Sequence, residues 1–149
     1  ISGNHEYYLK DYRNKISQLA SFNIKHLKNT KIHIEDINLI GIDDNQTEKS
    51  KIDFANKLCD DNLFNLVVCH KPDIWQKLNC KNYLMLSGHT HNGQIFPFNF
   101  VVKLKFKFIY GLYSMNNSNL YVSSGAACWG PKIRLGSNNE ITHLKLGKI

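Results

Sequence analysis

The sequence has no long apolar run. Its longest apolar stretches cover only a few residues, such as Leu63 to Cys69, so none can span a bilayer. It also has no Cys-x-x-Cys pair. Cys59, Cys69, Cys80 and Cys128 lie far apart, which argues against a zinc knuckle or a thioredoxin-type motif. That spacing fits a reducing compartment. Cys69, inside an apolar run, reads as a small core residue. There is no initiating Met, no signal-peptide pattern, no internal repeat and no low-complexity tract. Ile1-Ser2-Gly3-Asn4 reads as the end of a buried strand entering a loop, so the chain is expected to begin inside a longer protein.

What is present is ordinary for a globular domain. The chain has 149 residues, 42% hydrophobic and 21% charged, enough to bury a core as one domain. The formal net charge is +7, which favours anionic partners such as phosphate esters, acidic lipid or nucleic acid. Much of that charge is scattered Lys, the pattern of a solvated surface.

Periodicity gives a coarse map. Leu9, Tyr12, Ile16, Leu19 and Ala20 recur at helical spacing and predict an amphipathic helix from Tyr8 to Ala20. Two short strands are expected at Lys31–Glu35 and Asn38–Ile42, joined tightly at Asp36-Ile37. Asp43-Asp44-Asn45 reads as a loop. Thr47 is a candidate N-cap for a helix running to about Leu58, with Ile52, Ala55 and Leu58 inward. Phe64–Cys69 and Tyr83–Leu86 read as buried strands, with Pro72 opening a short helix between them. Val101–Ile109 alternates, with Lys103, Lys105 and Lys107 opposite Val102, Leu104, Phe106 and Phe108. It is expected to be extended with one wet face. Leu120–Ser123 and Ile141–Leu146 read as closing strands. The whole predicts an α/β (α+β) fold, sheets covered by helices.

The histidines carry the chemistry. His5, His70, His89 and His91 all fall in loops just after a buried strand or beside a Gly: Gly3-Asn4-His5-Glu6, Val68-Cys69-His70-Lys71-Pro72 and Ser87-Gly88-His89-Thr90-His91. Loops at strand ends are where α/β proteins gather function. Imidazole suits zinc, iron and similar ions, and a His-x-His pair in extended backbone aims both rings to one side. Asn4 adds an oxygen donor, which argues against an all-thiolate structural zinc site. His26, His33 and His143 stand alone and read as ordinary surface or core residues.

Taken in order, Gly3-Asn4-His5-Glu6, His70-Lys71-Pro72-Asp73 and Gly88-His89-Thr90-His91 resemble the later motifs of the calcineurin-like metallophosphoesterases. Gly93-Gln94-Ile95, Tyr110-Gly111-Leu112-Tyr113, Leu120 to Gly125 and Pro131 to Gly136 are similar to its bacterial, membrane-associated branch. The resemblance implies a four-layer αββα sandwich with two divalent ions (Mn, Fe or Zn) at the strand ends. It implies that Asn4, His70 and His89 bind one ion and that His91 binds the other. His5 would protonate the leaving oxygen, and Glu6 would orient His5. Asn92 stands where the family often has Gly. The family's Asp-x-His and Gly-Asp-x-x-Asp motifs should precede Gly3 and are absent from the sequence. The chain therefore reads as the C-terminal portion of the domain, without its N-terminal strands, and is expected to be inactive alone.

The function this implies is metal-dependent hydrolysis of phosphate esters or diphosphates, on a phosphorylated small-molecule or lipid-linked substrate. Arg134, in a Gly- and Pro-flanked loop, is a candidate substrate-binding residue because guanidinium pairs well with phosphate. Two rivals stand beside this reading. One is a noncatalytic module that holds nucleic acid or anionic lipid on Lys103, Lys105 and Lys107 with their neighbouring aromatics. The other is a pseudoenzyme with a partial metal site. Alternating Lys on a wet strand more commonly serves solubility, so nucleic acid is not expected as a partner. The expected location is cytoplasmic or membrane-associated, with peripheral membrane contact.

Overall fold

A computed structural model describes residues 1–147. One mixed sheet of six strands organises them: β1 (Thr30–Ile34), β2 (Ile37–Ile42), β3 (Phe64–Cys69), β4 (Tyr83–Ser87), β5 (Gly111–Met115) and β6 (Ser118–Val122). The spatial order is β1-β2-β3-β4-β6-β5. The four central strands β2, β3, β4 and β6 are parallel, and an antiparallel hairpin closes each edge. Parallel neighbours send their C-terminal ends to the same side of the sheet, and every expected histidine loop but one leaves from that side.

Alternation along the strands separates two faces. Ile40, Ile42, Val67, Cys69, Met85, Leu120 and Val122 are fully buried against Ala55 of α2 (Glu48–Leu58) and against Ile74 and Trp75 of the short 3-10 helix Pro72–Lys77. Thr47 caps α2, its side chain accepting from the Ser50 N–H at 3.2 Å. The intervening residues Leu39, Leu66, Val68 and Leu86 are only half-buried. This α/β arrangement is of the metallophosphoesterase type. Among the described residues there is one sheet, not the two of the expected four-layer sandwich.

Several expectations change. The Tyr8–Ala20 helix is broken into a 3-10 turn, α1 (Tyr12–Gln18) and a second 3-10 turn, with no buried residue in any of them. Val101–Ile109 is not extended: α3 (Phe98–Lys105) covers most of it. Phe98, Val102 and Phe106 also repeat at helical spacing, and packing over the histidine loop selects that period. Ile141–Leu146 forms no strand, because the sheet edge beside β6 is taken by β5. Cys59 and Cys80 are paired as a disulfide with Cα atoms 5.9 Å apart, a pairing the spacing in the sequence did not announce. Cys69 is buried as expected.

Candidate metal centre

Three loops meet at the C-terminal ends of the parallel strands. β3 delivers His70, β4 delivers His89, and the N-terminal segment lays Asn4 over them. Gly3 makes this approach possible. A Cβ on Gly3 would stand 2.8 Å from the His70 ring, so only Gly lets the segment pass this close. The Glu6 carboxylate accepts the Gly3 N–H at 2.8 Å and pins the same turn. Glu6 thus holds the backbone that carries Asn4 and His5, where the sequence suggested a direct hold on His5.

The donor atoms converge. His70 Nε2 lies 3.0 Å from Asn4 Oδ1 and 3.1 Å from His89 Nδ1. One His70 nitrogen faces two neighbours, and a single proton there can be aimed fully at only one of them. An amide oxygen only accepts, so a His70 proton used for Asn4 removes the lone pair that His89 would need. A cation shared by three lone pairs removes the conflict. Two donor atoms each about 2.0–2.1 Å from one ion stand about 2.9–3.4 Å apart as the bond angle opens from right to tetrahedral. Both separations fit that window. Among the described residues no three His, Cys, Asp or Glu side chains gather as a possible metal group, and the trio here includes the Asn4 amide.

Electrostatics keep the imidazoles neutral, the form that binds metal. His89 is pushed down to about 4, mainly by burial and then by the neighbouring His70 and Lys71. His70 is lowered by burial, against the pull of the Asp44 and Glu6 carboxylates. His91 is lowered by burial and then by Arg134, with the Ala127 carbonyl acting in the opposite direction.

The loop after β4 is under backbone strain. His89, His91, Asn92 and Gln94 all have positive φ, at 70°, 50°, 51° and 49°. Such clusters in non-glycine residues accompany functional sites. Asn92 explains its own departure from the family pattern, since Asn tolerates the left-handed region better than most residues. Gln94 anchors the loop, donating to the Trp129 and Pro131 carbonyls at 2.7 and 3.1 Å and accepting from the Trp129 N–H at 2.6 Å.

His5 is exposed, its ring edge-on to Tyr8 with centroids 5.5 Å apart, and it lines the same cavity as Asn4, His70, His89 and His91. That cavity is about 850 Å³; Ile95, Phe98, Val102, Phe106, Trp129 and Pro131 form its apolar wall, and Gln94 and Lys105 also line it. Arg134 turns inward. Its guanidinium donates to the carbonyls of Ser124 at 2.7 Å, His91 at 3.2 Å and Asn138 at 3.3 Å, and also reaches the Ala127 carbonyl. Its Nη2 lies 3.3 Å from His91 Nδ1. With its terminal nitrogens committed to backbone, Arg134 braces the His91 loop and is not presented to a ligand as the sequence suggested.

Sequence reasoning missed Asp43 and Asp44, read as simple loop. Both are buried at the end of β2. Asp44 pairs with the buried Lys51 and with Lys71 at 3.3 Å, and Asp43 accepts the Tyr7 hydroxyl. Two acidic residues directly after a buried apolar strand were the available signal.

Comparison with known proteins gives the family. The chain is 37% identical over 154 residues to an uncharacterised metallophosphoesterase of Helicobacter pylori, covering 98% of this chain and 41% of that protein. It is 37% identical over 158 residues to one from Campylobacter jejuni, covering 97% and 40%. The chain belongs to the metallophosphoesterase family. A further relative is a bovine protein named transmembrane protein with metallophosphoesterase domain, 35% identical over 167 residues, covering 98% of this chain and 38% of the relative. The chain thus spans about two-fifths of the length of these curated relatives. No family model and no solved structure matches it.

Proposed function

We propose that these residues form part of the active site of a two-metal hydrolase of phosphate esters or diphosphates. The approach of Asn4 Oδ1 and His89 Nδ1 to the same His70 nitrogen carries this reading. These three would hold one divalent ion (Mn, Fe or Zn), and His91 would contribute to a second. Ions so bound supply a Lewis-acid clamp on phosphate oxygens and lower the pKa of water. The chain's own residues do the rest. Neutral His70, His89 and His91 present lone pairs. Gly3 and Glu6 fix the turn that sets Asn4 over His70. His5, exposed at the cavity edge, gives its proton to the leaving oxygen.

The cavity wall bears on the substrate. Phosphate at the histidines would place the rest of the ester against Ile95, Phe98, Val102, Phe106 and Trp129. That favours a substrate with an apolar portion, a lipid-linked phosphate or diphosphate. The relative named as a transmembrane protein supports membrane association. Among the described residues no helix is long and apolar enough to cross a membrane.

The test is His89→Ala in the full-length protein. Bound metal should fall, and manganese-dependent hydrolysis of an aryl phosphodiester should drop at least a hundredfold. Wild-type metal content together with wild-type rate would refute the assignment.

A further inference from the structure

The charge of this chain is unevenly placed. No Asp or Glu occurs between Asp73 and Glu140, while the same stretch holds seven Lys and Arg. The formal +7 therefore arises in this stretch, which also carries half of the exposed large apolar side chains.

α3 sits in the middle of that stretch. At about 100° per residue, Phe98 and Val102 point one way, and with the capping Phe106 they line the cavity. Phe100, Leu104 and Val101 fall on the opposite side within an arc of about 100°. They are 56%, 89% and 59% exposed. Lys103 flanks this arc on one edge, and Lys105 stands on the other, between the arc and the cavity that it also lines. Nearby, Phe96, Trp129, Ile133 and Leu135 are each more than half exposed. A short helix with a bare apolar arc, Lys on both margins and aromatics beside it has the layout of an element lying in a lipid interface. Lys stems can lie along acyl chains while their ammonium groups stay at the headgroups. A run free of carboxylates is repelled nowhere by an anionic leaflet.

We infer that the outer arc of α3, with Trp129 and Ile133 beside it, docks this domain onto an anionic bilayer surface, with the histidine cavity opening next to the lipid. Binding by this surface is independent of whether hydrolysis occurs.

The test uses the full-length protein with Cys128→Ser, so that an environment-sensitive dye can be placed on Leu104→Cys alone. Vesicles of phosphatidylserine with phosphatidylcholine should blue-shift the emission and raise it several-fold, and added salt should reverse the change. Pure phosphatidylcholine vesicles should give little response. A dye on Lys49→Cys, on exposed α2, should respond to neither. An aqueous spectrum at position 104 on both vesicles would overturn the inference, as would an equal response to neutral and anionic vesicles. A shielded spectrum in buffer alone would also overturn it, since another part of the protein or a second copy would then cover the arc.

Discussion

The two ends of the parallel sheet handle their polar groups differently. At the end where the strands begin, Asn65 is fully matched. Its Nδ2 donates to the Asp60 and Lys81 carbonyls at 2.9 and 3.1 Å, and its Oδ1 accepts from Asn38 Nδ2 at 2.8 Å and from the Asp60 N–H at 2.9 Å. At the end where the strands finish, Asn4, His70 and His89 bring lone pairs together with too few protons between them. Donors matched to acceptors hold a fold. Acceptors facing acceptors hold something else, and burial alone does not tell the two apart.

Breaking matched groups should cost the most stability, so the first test is a matched pair that lies close to the unmatched site. Asp44 and Lys51 are both nearly inaccessible. Asp44→Ala strands a buried ammonium and should destabilise the full-length protein by about 3–5 kcal/mol, measured by urea titration. A loss under 1 kcal/mol would mean that Asp44 belongs with the binding groups and not with the scaffold. Asn65→Ala comes next. It leaves two N–H donors and three carbonyls without this partner and should cost about 3 kcal/mol. It should leave metal content per folded molecule unchanged, and loss of metal would erase the distinction between the ends.

This difference was only partly legible in the sequence. Continuous apolar runs announced β3 and β4, because strands buried between neighbours need them. Histidines just past those runs announced the site. Val101–Ile109 was misread because its residues satisfy two periods at once. The choice is made by tertiary contact with the His91 loop, which no local pattern contains. β5 was not predicted because it starts at Gly111 and turns back at Asn116, leaving little room for alternation. The Cys59–Cys80 bond joins positions 21 residues apart and depends on two elements ending side by side. Arg134 showed its charge in the sequence but not its direction, since only the folded loops reveal five nearby backbone carbonyls.

The unmatched end should gain stability only when its ligand is supplied. An ion bound to the folded state alone adds about 2.7 kcal/mol at a free concentration one hundred times its dissociation constant. Manganese should therefore raise the urea midpoint of the full-length protein. The rise should survive in Asn65→Ala, on a lower baseline, and should largely disappear in His89→Ala. Equal rises in all three proteins would place the stabilising ion somewhere other than the His70–His89 cluster.

The smallest effect on stability belongs to His5, which divides the unmatched end into groups that bind and a group that reacts. His5 is exposed, and its ring touches the edge of Tyr8 without entering the Asn4–His70–His89 cluster. Removing an exposed ring shifts stability by less than about 0.5 kcal/mol. His5→Ala should therefore unfold like the wild type and show the same rise with manganese. Its hydrolysis should still fall, by about 10²-fold for alkyl esters, because a positioned acid contributes on that scale when the leaving oxygen needs a proton. A nitrophenyl ester departs readily as the anion and should lose far less. The contrast between the two esters is the decisive reading. Equal losses on both would assign His5 to phosphate binding. Loss of the manganese response would make it a ligand, and the separation between binding and reacting groups at this end of the sheet would fail.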